Sequence, residues 1–207
     1  MNRCLLALGL LFSVVVPAAT QERPGDELAK LREALGRAAE ALKAPEKQLP
    51  QQFRAPQPDG LPVFQQTLVS LQKDVGLAEY HLEACLDELN ALKDERDRAP
   101  QRWQALYDFT SSRLLLRMAV LNEYNWMLGR MRKDELPERD PTQHDTWQLS
   151  PRERPSSRDS DKFVRRAREL LRKLVDNHPG TPWELLARRE LLGLEFLGLE
   201  WQPIKGR

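Results

Sequence analysis

Between Phe64 and Leu92 the apolar residues recur at alternating spacings of four and three: Phe64, Leu68, Leu71, Val75, Ala78, Leu82, Cys85, Leu89 and Leu92. That spacing is the seam of an α-helix packed along its length against another helix. Ala99 and Pro100 interrupt the pattern, and a second apolar-periodic run opens at Trp103. The residue before a proline is driven out of the helical region, so the first helix ends there. The pattern predicts a long antiparallel helical hairpin over residues 62–133. With about 35 residues per arm at a rise of 1.5 Å each, the rod is about 50 Å long.

The second arm carries more apolar surface than one seam can cover. Leu114, Leu115, Leu116, Met118, Ala119, Val120 and Leu121 form a nearly continuous run, so another helix, another subunit or a partner must pack there. Each large side chain fully buried contributes about 1.5–3 kcal/mol, which makes leaving several exposed costly. Trp103, Tyr107 and Phe109 precede the run, and Tyr124 and Trp126 follow it. Aromatics at three- and four-residue spacing read as core, while Trp and Tyr among Arg also make interface hot spots. Trp103, Tyr107, Leu115, Met118, Tyr124 and Trp126, with Trp183 further on, form the candidate interaction surface.

The segments around the hairpin are shorter. Within residues 21–44, Leu28, Leu31, Leu35, Ala38, Ala39 and Leu42 make one stripe of a short helix bounded by Pro24-Gly25 and Pro45. Residues 45–61 are rich in Pro and Gln, and residues 134–159 carry Pro137, Pro141, Pro151 and Pro155 amid Arg, Asp and Ser. Both read as extended, solvated linkers. An island in the second, His144 to Leu149, holds a lone Trp147 and Leu149, which pin the loop to the core or serve as a binding element.

Residues 160–207 hold a helix pair and a tail. Phe163, Val164, Ala167, Leu170, Leu171, Leu174 and Val175 outline an amphipathic helix that Asn177-His178-Pro179-Gly180 stops. Thr181 then stands as N-cap, Pro182 at the first helical position and Glu184 as the capping-box partner. Leu185, Leu186, Arg189 and Leu192 continue toward Gly193 or Gly198. The predicted fold class is all-α: a long hairpin, a helix-turn-helix pair and Pro-rich linkers.

At about 35 residues the pair has the size of one tetratricopeptide unit. The run Asn177-His178-Pro179-Gly180-Thr181-Pro182-Trp183, with Ala187 following, resembles the inter-helix turn of tetratricopeptide-like repeats in exported bacterial proteins. The runs beginning at Trp103, Glu123 and Arg132 resemble an uncharacterised family of large exported bacterial proteins. The resemblance spans about Trp103 to Trp201. It implies a fold and a compartment, and brings no catalytic residue with it.

The beginning of the chain agrees on compartment. Arg3, the apolar stretch Cys4 to Val16 and the small residues Pro17-Ala18-Ala19-Thr20 are the three parts of a secretory signal over residues 1–20. The apolar stretch falls short of the roughly 20 residues a span needs, so the mature chain is expected without stable membrane insertion, in the periplasm or outside the cell. Cleavage leaves Cys85 as the sole cysteine, a buried seam residue or one end of a disulfide between two copies. Thirty-two Lys and Arg against 31 Asp and Glu give no reason to propose nucleic acid as partner. The charge is uneven: residues 152–173 hold nine Lys or Arg against four Asp or Glu. That is a solvated helix face or a site for an acidic partner.

Candidate chemistry is sparse. His81, His144 and His178 lie in different segments. His81 and Cys85 share a helical face, but a structural zinc needs four ligands. No phosphate loop, nucleophile elbow or haem-attachment motif occurs, and no cofactor, metal or catalytic residue is assigned. The expectation is an exported, non-enzymatic interaction or scaffolding module for another envelope protein. The alternatives are an enzyme or metal- or ligand-binding protein with a site between helices, built on His81, Cys85 and nearby carboxylates, or a self-associating rod.

Overall fold

The computed structural model describes residues 26–43 and 49–206. The expected leader over residues 1–20, and Pro45 at the start of the first linker, lie outside the described residues. In chain order the elements are α1 (Asp26–Lys43), β1 (Gln52–Arg54), α2 (Leu61–Ala91), α3 (Lys93–Arg98), α4 (Gln101–Arg132), β2 (Thr146–Arg152), α5 (Arg158–Asn177), α6 (Pro182–Gly193) and β3 (Gly198–Ile204). The protein is mostly helical.

Helices α2 and α4 pack against each other as the two arms of the hairpin. The heptad seam buries Leu68, Val75, Leu82 and Leu89, with neighbouring Leu86 buried beside them and Ala78 left exposed. Leu92 leaves helical geometry at φ −102° and ψ 26°, which detaches the charged turn α3 from the end of the first arm. Ala99, extended at ψ 154° ahead of Pro100, makes the reversal into α4. Arg96 of α3 closes this end through an ion pair with Asp108, and the Tyr107 hydroxyl donates to the Leu89 carbonyl at 2.8 Å.

Helix α4 is the axis of the molecule. It contacts α1, α2, α5, α6 and β3, so its apolar residues point in several directions instead of forming one stripe. Leu114, Leu115, Met118, Leu121, Met127, Leu128 and Met131 are all buried. The surplus apolar surface of the second arm is covered from within the chain, because α5 lays Val164, Ala167, Leu171 and Leu174 into the core. A second, smaller apolar cluster joins Ala105 of α4 to Leu171 and Leu174 of α5 and Ala187 of α6.

The all-α reading needs one correction. Three strands form an antiparallel sheet in the order β1-β2-β3, and both Pro-rich stretches read as linkers contribute to it. Phe53 pairs with Trp147, and Leu149 with Trp201, which places all four on one face, and all four are buried. Phe53 meets Trp201 edge to face at 5.5 Å. The opposite face is a polar ladder in which Gln52 donates to Gln148 and Ser150 donates to Gln202. This is period-two patterning, apolar in and polar out. Prolines are tolerated because they sit at strand ends and edges. On the outer side of β3, the Leu199 N–H is taken by Glu123 and Pro203 has no N–H to offer, which blunts the edge against further pairing.

Candidate interaction surface

The buried face of the sheet locks onto the C-terminal half of α4. Trp201 Nε1 donates to the Met127 carbonyl at 2.9 Å, and the Tyr124 hydroxyl donates to the Pro50 carbonyl at 2.8 Å. One turn before Met127, Glu123 is fully buried, and its carboxylate accepts the backbone N–H groups of Ser156 at 2.7 Å, Ser157 at 2.8 Å and Leu199 at 3.3 Å. Ser157 is the N-cap of α5, and its hydroxyl donates to Asn122. Asn122 in turn donates to Glu79 of α2 at 3.0 Å, and Ser160 of α5 donates to the Ala119 carbonyl. Burial, with the Glu83 and Asp159 charges adding to it, holds the Glu79 carboxyl above its usual range, and the Asn122 bond opposes the rise. This polar node fixes where α5 starts on α4.

With α5 fixed, α6 follows. Gly180 turns the chain at φ 72°, a conformation that favours glycine, and Thr181 takes the N-cap backbone position ahead of Pro182. The capping box forms in altered register. Glu184 accepts the Gly180 N–H at 2.6 Å, while the Thr181 hydroxyl turns back to the His178 carbonyl at 2.7 Å. The Gly180 N–H first and Arg188 second hold the Glu184 carboxyl below its usual range. Arg113 of α4 donates to Glu190 at 2.6 Å and ties α6 down at mid-length.

This arrangement redistributes the residues proposed as an interaction surface. Tyr107, Leu115, Met118 and Tyr124 are core, because α4 is enclosed on several sides. Trp103 is half-buried, with the Arg32 and Arg102 guanidinium groups 5.4 and 6.0 Å from its ring centre. Trp183 is half-buried against Phe109, ring centres 6.0 Å apart. Only Trp126 among the seven is open, at 51% exposure. Aromatic spacing marked a core helix and carried no information on which side faces solvent.

The other exposed large apolar residues lie along α2, at Leu61, Val63, Val69, Leu77 and Tyr80, and at the C-terminal end of the helix pair. Leu185 at 72%, Leu192 at 74% and Phe196 at 58% exposure stand on and just beyond α6. Leu185 and Leu192 are seven residues apart, two helical turns, and so share one face. Trp183 and Ala187 on the other face meet the smaller cluster. A signal for this was present: Leu185, Leu186, Leu191 and Leu192 exceed what one stripe of a twelve-residue helix can bury.

Family models, curated proteins and solved structures give no match to this chain.

Among the described residues no three His, Cys, Asp or Glu side chains converge on a metal site. No described helix is long and apolar enough to cross a membrane. His81 is exposed beside Tyr80. Cys85, one turn on, is half-buried against the core. Burial, reinforced by Glu88, raises its thiol pKa, with Arg37 opposing.

Proposed function

We propose that the protein is an exported scaffolding module that docks another envelope protein on the outer face of α6. The observation that carries this reading is Leu185 and Leu192 on one face of α6, with Phe196 in the 3-10 turn that follows, each more than half exposed. Surface leucines scattered singly need no explanation, whereas several large apolar side chains on one helix face mark an interaction site. The α5–α6 pair resembles a tetratricopeptide unit, in which stacking against neighbours buries the faces of each helix pair. Here the outer helix keeps such a face open. Burial of the seam residues Leu68, Val75, Leu82 and Leu89 within the chain favours this reading over a self-associating rod.

The test is paired affinity capture from gently solubilised native envelope. The wild-type protein is expected to retain a stoichiometric partner that the Leu185→Ser, Leu192→Ser double variant loses with its circular dichroism unchanged. Equal recovery by both proteins would reject α6 as the docking face.

A further inference from the structure

We draw no further inference here: the strongest candidate, the exposed apolar patch of Val69, Leu77 and Tyr80 on α2, carries none because nothing in the structure shows what covers it.

Discussion

Glu123 Oε2 accepts the Ser157 N–H at 2.8 Å, joining a fully buried carboxylate far along α4 to the cap of α5. Its other oxygen takes the Ser156 N–H at 2.7 Å and the Leu199 N–H at 3.3 Å. One side chain therefore sets the start of α5 and the start of β3 together. The carboxylate also lies against the positive end of the α5 dipole, which favours it further.

Replacing Glu123 by Ala strands those donors away from water. Hydrogen bonds to a charged group contribute about 1.5–3 kcal/mol each, so the two short ones alone predict a loss of about 3 kcal/mol or more. Glu123→Gln keeps one acceptor oxygen and turns an amide donor toward the other N–H groups, so its loss should be smaller. Urea unfolding of both variants checks the order. A Glu123→Ala midpoint equal to that of wild type would remove Glu123 from this role.

Gly198 opens β3 where a side chain has no room. A methyl there would overlap the Arg154 carbonyl oxygen and come within 2.7 Å of Arg152 Cγ. The obstruction includes backbone and cannot swing aside. Gly198→Ala should cost about 1–3 kcal/mol, the range for forcing extra atoms into a filled space. Gly36→Ala, where an added methyl meets nothing, should be neutral or slightly stabilising because it lies within α1. Thermal unfolding of the pair tests the contrast, and equal melting points would contradict it.

The helices were legible in the sequence and the sheet was not, for a physical reason. A heptad period sustained from Phe64 to Leu92 leaves many coincident apolar positions to detect. A three-residue strand such as Gln52–Arg54 offers one inward residue, Phe53. Its partners lie more than ninety residues away in sequence, at Trp147 and Trp201. The alternation Trp147-Gln148-Leu149-Ser150 was the available strand signal, masked by flanking prolines. The burial of Tyr107, Leu115, Met118 and Tyr124 was hidden on a different ground. Periodicity reveals that Tyr107 and Tyr124 belong to a helix, while the cover given to Tyr107 by the end of α2 and to Tyr124 by the approach to β1 is a property of the fold. Leu185 and Leu192 were visible as part of a helix, but only the packing of α6 shows which face stays open.

Glu79 makes stability depend on mild acid. Its carboxyl is held above the usual range, chiefly by burial. The stability it supplies is complete below the ordinary glutamate range, near pH 4.3, and is lost as pH rises through the raised value. At neutral pH it therefore carries a penalty. Glu79→Gln keeps an acceptor for Asn122 and should raise the melting temperature at pH 7. The gain stays below about 1 kcal/mol because the group is half-exposed and screened. It should vanish near pH 3. A gain of the same size at both pH values would show that charge is not its cause.

The buried tyrosines predict the opposite limit. Burial pushes the Tyr124 phenol above the ordinary tyrosine range, and Tyr107 rises in the same direction, by burial first and the neighbouring Asp108 charge second. In strong base the folded chain holds protons that the unfolded chain releases, so stability falls as pH climbs. It should be intact below about pH 10 and decline above it. Absorbance at 295 nm followed beside circular dichroism should show two of the three tyrosines ionising together with the loss of helix. Tyr124→Phe loses the bond to the Pro50 carbonyl and about 1 kcal/mol at neutral pH. In return it removes one ionisable phenol, so its stability should fall less steeply between about pH 10 and 12. Ionisation of all three tyrosines before any change in circular dichroism would contradict the burial that joins Tyr107 to Leu89 and Tyr124 to Pro50.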